Sequence, residues 1–574
     1  MNSNSIIEKI KLTEAKSRYL VPFKFLPDTA RHSSENSFSE LTSNDMSLNV
    51  YSGIFETLGK SSDWMPVKTN REMAEPAYSD RNNTAPNTLK SELYSHILKT
   101  LSINIKNEDY SRCSDCCIGS TWEYTKLYKE NSAPVIRCKI KLHNHNETLQ
   151  SDNAEYTQKI FEFSIKRVGL FVFRTGIGIF WFELKNSENI ELSPFTKIEN
   201  FIEFQKCFKQ LSAPWQKDMF HVVTGNNGKE ELTPFMAGKW INDILNSTFA
   251  SSASAPVKIE YYSTEEDCTS TEPLPDKAIL FNLALMKPVN EHYFEDVKEE
   301  LSHIGFMLSN GFNDSYLMPD NIRDLSLKTF DNVLWHASSF GMGQYVAYNK
   351  SNAFFFENLL SDRMFSDYFI VYIIILYQQY SVLFYTEQLE LTFPSDLNKI
   401  GLDTLQKYSE RINLFLIKSV YASVSHLEQH NNVYRYISKT MCIKDNINDL
   451  TIGLDSLSAI IRNKNNDEEA DKDKQISNSL NSLALVVIAS ALTDTYSFLD
   501  NDLPDLINGL LKNNFIPENN QPYCWFIVKT FFILLLFILF INVLWKLLHA
   551  GINSPKRGSG TVLKKICKKI FSGK

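Results

Sequence analysis

Upstream of its last twenty-nine residues the chain has no net positive charge. Lys546, Lys556, Arg557, Lys564, Lys565, Lys568, Lys569 and Lys574 stand there without an acid, so a net charge of −8 for 574 residues leaves −16 for everything upstream. An acidic body offers no basic face to phosphates, so no direct nucleic-acid binding is expected. The opening "MNSNSIIEKIKLTEAK" mixes charges into its apolar positions and lacks the continuous apolar run of a secretory signal. A cytoplasmic body is the expectation. Nine scattered cysteines form no disulfide framework and suit free thiols. Cys113, Cys116, Cys117, Cys138, His143 and His145 have the ligand types of a zinc site but lack a clean second CxxC pair, so no metal site is assigned. Walker loop, nucleophile elbow and HExxH are all missing, and no enzymatic activity is expected.

Two further absences organise the C-terminal half. No proline occurs between Ser395 and Leu503. Apolar residues there recur mostly at spacings of three, four and seven, which predicts one long amphipathic helix over 423–499, or two broken near Gly453. No charge occurs between Lys529 and Lys546, sixteen residues flanked by lysines and by Trp525 and Trp545, so 523–548 reads as a transmembrane helix. A second uncharged stretch of nineteen residues, 475–493, carries many polar groups. Such a helix suits a water-lined or packed position better than lipid. The link 500–522 is acidic and the tail 549–574 basic, which places the tail in the cytoplasm and makes 476–499 and 523–548 a hairpin. Ser490, Thr493 and Asp494 would line a pore. Asp494 would form a ring of carboxylates at its outer mouth or simply cap the helix at the headgroups.

Upstream, residues 1–87 are rich in Ser, Asn and Thr and read as a poorly structured extension. Residues 88–345 alternate strand and helix signals and read as an α+β (α/β) domain that senses a ligand. Its clearest element is a β-hairpin over 160–184, "IFEFSIKRVGLFVFRTGIGIFWFEL", turning at "RTG". Helices are expected at 197–211, 235–249 and 292–308, and a strand at 277–286. Residues 346–475 read as long cytoplasmic helices and a stalk; within them 364–391 is strongly apolar, but its tyrosines and glutamines favour a helix packed on both sides over a third span. The run "NKNNDEEADKDKQ" (463–475) reads as a solvated helix face or short break, or as a collar that concentrates cations.

A soluble α+β domain, stalk helices, a two-helix hairpin and a basic tail resemble the CorA family of divalent-cation channels over about 350–574. The strings "YIIILYQQYSVLFYTEQL", "HLEQHNNVYRYISKTMCI", "ASALTDTYSFLD" and "FRTGIGIFWFEL" look most like its branch associated with type III CRISPR systems. That resemblance implies a homo-oligomer, a pentamer in the family, in a bacterial inner membrane, with divalent cations as possible cargo. It further implies antiviral defence, in which a nucleotide messenger, S-adenosylmethionine joined to AMP, activates the membrane protein. The chain departs from the CorA pattern where Gly-Met-Asn should end the first span; "LTDTYSF" stands there, which puts magnesium selectivity in doubt. A constitutive divalent-cation transporter is the competing reading. The messenger would need cations, backbone amides and an aromatic face, which the hairpin offers in Lys166, Arg167, Arg174, Thr175, Gly176 and Trp181. Asp243 with Trp240, or Trp335 with Ser338, would complete the pocket.

Overall fold

Among the described residues thirteen strands join in one sheet, and its central strand falls where the sequence suggests a loose extension. The computed structural model describes residues 10–27, 46–74, 91–103, 117–129, 134–143, 156–186, 190–226, 229–249, 257–265, 273–312, 316–392 apart from 317, 320, 323, 324, 350 and 352, the backbone of 402–497, and positions 526, 527, 530, 531, 534 and 538. The chain divides into two compact units, Met1–Asn463 and Lys464–Lys574.

The strands are β1 (Ile10–Pro27), β2 (Trp64–Pro66), β3 (Gly119–Tyr124), β4 (Val135–His143), β5 (Tyr156–Phe173), β6 (Ile177–Asn186), β7 (Phe220–Asn226), β8 (Lys229–Pro234), β9 (Val257–Tyr261), β10 (Ile279–Pro288), β11 (Ser326–Phe330), β12 (Val333–Ser338) and β13 (Gly341–Ala347). The main path runs β11-β12-β13-β10-β1-β6-β5-β4-β7-β8; β3 adds to β5 and carries β2, while β9 adds to β1. β10 and β13 pair in parallel, whereas the pairs built on β1, β5 and β6 are antiparallel. The expected hairpin is β5–β6, and its turn contains Gly176 at φ +88, a conformation that favours glycine.

The helices used below are α1 (Met46–Lys60), α2 (Asn70–Ala74), α3 (Ser95–Thr100), α4 (Ile198–Phe208), α5 (Ala237–Phe249), α6 (Phe294–Asn310), α7 (Phe369–Thr392), α8 (Leu402–Ser419), α9 (Glu428–Thr440) and α10 (Ile443–Ser497). Side chains alternate across a strand, and both faces of this sheet are apolar and covered. Tyr19, Val21, Phe23, Phe180 and Phe182 share a core with α4, α5 and α6. Leu20, Phe171, Phe173, Ile179 and Trp181 share another with α7 and α9. A central strand buried on both faces explains the near-continuous apolar run in β6.

Helix α7 is almost wholly apolar over 369–378 because those residues are buried on every side. One helix among the described residues, Ser361–Gln388, is long and apolar enough to cross a membrane, and 72% of an apolar eighteen-residue window within it is buried inside the protein. Its tyrosines belong to the core, as the sequence suggests: Tyr372 and Tyr377 are buried, and Tyr377 stacks on Phe173 at 4.1 Å. Two π-helical turns, Phe356–Leu360 and Met364–Tyr368, lead into α7.

Three sequence expectations are corrected. Within 1–87, the described residues 10–27 and 46–74 are not a loose extension, because they supply β1, α1, β2 and α2. The sheet and the helices that follow it do not part near 345, since both belong to the unit ending at Asn463. The amphipathic region breaks at Met441–Cys442, where Cys442 adopts φ +52, and not at Gly453, which lies inside α10. Nothing crowds Gly453, so no packing demand forces an interruption there.

Candidate functional site

Register places a buried ion network across the centre of the sheet. Glu183 in β6 faces Arg18 in β1 and Arg167 in β5. A β-bulge between Ile165 and Arg167 interrupts the pairing at Lys166, and the Lys166 ammonium donates to Glu183 at 3.0 Å. Arg18 Nε donates to the other carboxylate oxygen of Glu183 at 3.1 Å. Arg167 Nε donates to Glu123 at 2.8 Å. The remaining guanidinium donors cap the C-terminal end of α2: Arg167 reaches the carbonyls of Glu72 and Met73 at 2.6 and 2.9 Å, and Arg18 reaches Met73 at 2.5 Å.

Arg18 also donates to the Phe365 carbonyl, within the second π-helical turn, at 2.9 Å. Burial, opposed by Glu183, brings the Arg18 guanidinium down to about 10. Burial would push the Glu183 carboxyl up, but Arg18, Lys166 and Arg167 hold it at about 2. The indole of Trp181 lies 4.4 Å from Arg18 and 5.4 Å from Arg167 and meets Phe369 edge-on at 5.5 Å. A Cβ at Gly169 would lie 2.4 Å from that ring, so only glycine fits opposite it.

This geometry separates the residues grouped for ligand binding from sequence. Arg167 and Trp181 are fully buried, and the space a ligand would occupy at the indole is filled by Arg18, Arg167 and Phe369. Lys166 is partly exposed but engaged with Glu183. Arg174, Thr175 and Gly176 form the half-buried turn, held by bonds from Arg174 N to Ile118 O and from Phe25 N to Gly176 O, both 2.8 Å. Asp243 is exposed on α5, whose buried side joins the core on the opposite face of the sheet from Trp181. Asp243 and Trp181 therefore share no site. Trp240 packs on Phe180 and Phe182, while Trp335 lies against Tyr368 at 4.6 Å. Ser338 bonds the carbonyls of Ser309 and Gly341.

A second polar node, which sequence reasoning missed, centres on Asp367 in the π-helical turn. Its carboxylate accepts from Asn70 Nδ2 at 2.6 Å, Ser91 Oγ at 2.7 Å, Glu92 N at 3.1 Å and Arg363 Nη1 at 3.0 Å. His430 of α9 stacks flat on Tyr368 at 4.5 Å, with Nε2 4.0 Å from Asp367. Burial lowers the His430 imidazole below its ordinary value, and Asp367 partly opposes this. The two nodes are joined by α2, whose first residue Asn70 holds Asp367 and whose last carbonyls receive the arginines. π-Helical turns frequently mark functional sites, and "RMFSDY" carries no local signal of one.

Helix α9 is pinned on both sides. The Tyr436 hydroxyl accepts from Ala337 N in β12 at 3.0 Å and donates to Leu325 O at 2.7 Å, and Gln378 of α7 donates to Tyr434 at 3.1 Å. After Cys442 the chain continues as α10, where Ile443, Leu450, Leu454 and Leu457 are buried.

Ser490, Thr493 and Asp494, expected to line a pore, lie on the helical backbone of α10, and their side chains are outside the described residues. Residues 500–522 and most of 523–548 also lie outside them, as do Cys113, Cys116 and His145. In the second apolar segment Phe526, Ile527, Phe531, Leu534 and Ile538 are helical and between 51% and 68% exposed. Cys117 and Cys138 are buried thiols. No family model matches the chain, and no curated protein or solved structure matches it either.

Proposed function

We propose that this chain is a ligand-operated membrane effector, in which a change in the sheet unit reaches apolar C-terminal segments through α10. One observation carries the reading: α10 is a single helix over Ile443–Ser497, which at 1.5 Å per residue is on the order of 80 Å long. Its first turns bury Leu450 and Leu454 in the sheet unit, and its later turns enter the uncharged stretch 475–493. A continuous helix transmits displacement or rotation without a separate coupling element. The strongly exposed Phe526, Phe531 and Leu534 need an apolar environment, which a bilayer supplies.

Joined to the resemblance drawn from sequence, the proposal is a CorA-like homo-oligomer of the type III CRISPR branch. It is opened by the conjugate of S-adenosylmethionine and AMP and permeabilises the inner membrane. The spatial chain from Glu183 and Asp367 through α9 to α10 is the route that such a ligand would bias. Full-length protein in dye-loaded liposomes should leak only when the conjugate is added. Steady divalent flux indifferent to the conjugate would replace the effector with a constitutive transporter. Asn466→Pro, placed within α10, should abolish ligand-dependent leakage while leaving ligand binding intact; leakage at the unmodified rate would remove α10 as the transmitting element.

A further inference from the structure

On the sheet face away from Trp181, a cavity of about 490 Å³ opens between the end of α4 and the end of α6, lined among others by Lys206, Lys209, Trp215, Asp276, Gly311 and Tyr316. This volume lies within the range of about 300–1,000 Å³ typical of small-molecule sites. Lys209 is the unusual member. It is 5% exposed, and among the described residues no carboxylate lies within 4.0 Å of its ammonium. One proton goes to Asn310 O, the final carbonyl of α6, at 2.5 Å. The rings of Phe312 and Phe340 lie 4.8 and 5.0 Å away.

An ammonium has three donors and a full charge. A helix-terminal carbonyl supplies a partial charge and one acceptor, and aromatic faces supply a weaker attraction. Buried cations are ordinarily paired. Here the position is built with some care: Gly311 at φ +60 ends α6, and a Cβ on it would lie 2.6 Å from Lys209 Cδ, so the glycine makes room for the lysine stem. Burial, with the Lys277 charge nearby, draws the amine down to about 8, which leaves it mainly charged at neutral pH. Flat, accessible surfaces line the same cavity. Trp215 is 40% exposed and Tyr316 48% exposed, and Tyr316 stacks on Phe312 at 4.0 Å with rings 8° apart.

We propose that this cavity binds a small organic anion bearing a planar ring, its charge meeting Lys209 and Lys206 and its ring meeting Trp215 or Tyr316. The assignment does not require any part of the chain to enter a membrane.

The test uses the full chain in detergent and follows tryptophan fluorescence and calorimetry with three probes: 5′-AMP, adenosine and inorganic phosphate. AMP should bind at least tenfold more tightly than either fragment. Lys209→Met should weaken AMP binding tenfold or more, with Lys209→Arg recovering part of it, and Trp215→Ala should weaken AMP while leaving phosphate unchanged. AMP binding no tighter than its fragments, or equal in wild type and Lys209→Met, overturns the proposal. Should Lys209→Met fail to fold, reductive methylation of the wild-type protein decides: AMP should slow modification of Lys209 several-fold, and an unchanged rate overturns the site. AMP binding lost in Lys209→Met, with no liposome leakage when the conjugate is added, would keep this inference and sink the membrane effector. Conjugate-dependent leakage beside AMP binding that is equal in wild type and Lys209→Met would do the opposite.

Discussion

Arg167 on the α7 side of the sheet and Lys209 beneath the α4 and α6 side are both almost wholly buried, yet only Arg167 has a carboxylate partner among the described residues. Arg167 uses Glu123 and two carbonyls of α2. Lys209 has one carbonyl, two rings and a cavity. The contrast teaches how a buried cation is to be read. Where carboxylates and helix-terminal carbonyls complete its shell, the charge specifies structure. Where the shell stops short at an open space, the charge awaits a ligand.

The largest effect that could break this comparison is expected at Glu183. Glu183→Gln removes the counter-charge of Arg18 and Lys166 within a site 2% exposed, and losing one partner of a buried pair costs about 3–5 kcal/mol. Chemical denaturation of the full chain in detergent reads this directly. A loss below about 1 kcal/mol would mean that Arg18 is solvated, and the hairpin would again be open to a ligand.

Acid should act on the same group. The Glu183 carboxyl is held at about 2 against an ordinary 4.5, so its folded value lies below its unfolded one. Its contribution is complete above pH 4.5 and disappears as pH falls toward 2, a total of roughly 3 kcal/mol at 1.36 kcal/mol per unit. The denaturation midpoint of wild type should therefore fall more steeply between pH 5 and pH 3 than that of Glu183→Gln. Parallel slopes would assign acid sensitivity elsewhere.

A smaller loss is expected at Gly169, where an added methyl would lie 2.4 Å from the Trp181 indole. Gly169→Ala should cost about 1–3 kcal/mol through overpacking, and Trp181→Phe in the same chain should recover part of it by shrinking the ring. Costs that simply add would show that the two positions do not share the space.

Particular residues explain what could be read in advance. The β5–β6 hairpin, α4, α5, β10 and α6 follow from local apolar periodicity and turn chemistry, and all appear within a few residues of their expected limits. Strand β1 was illegible because "KLTEAKSRYLVPFK" spreads lysine, glutamate and arginine through its apolar positions. Its charges become tolerable in a core only through distant partners: Arg18 with Glu183, and Lys24 with Glu260 and Glu387. The candidate site misled for the same reason. A cation, an aromatic ring and glycines in one hairpin fit a ligand pocket and a filled core equally well until Glu123, Met73 and Phe369 arrive from elsewhere. Lys209 gave no signal at all, since burial without a counter-ion is a tertiary property.

The smallest stability change, and the sharpest separation of the two faces, belongs to Lys209→Met. Removing an incompletely partnered cation relieves a desolvation penalty while losing one bond to the end of α6, so the net change should remain within about 1 kcal/mol in either sign. Arg167→Met should instead break the buried ion pair with Glu123 and uncap α2, with a loss nearer that of Glu183→Gln. Denaturation of the two methionine variants side by side therefore ranks the faces without any ligand. Equal losses would place Lys209 among the structural cations. A near-neutral Lys209→Met beside a severe Arg167→Met would mean that the cavity face keeps its charge for something the fold does not need.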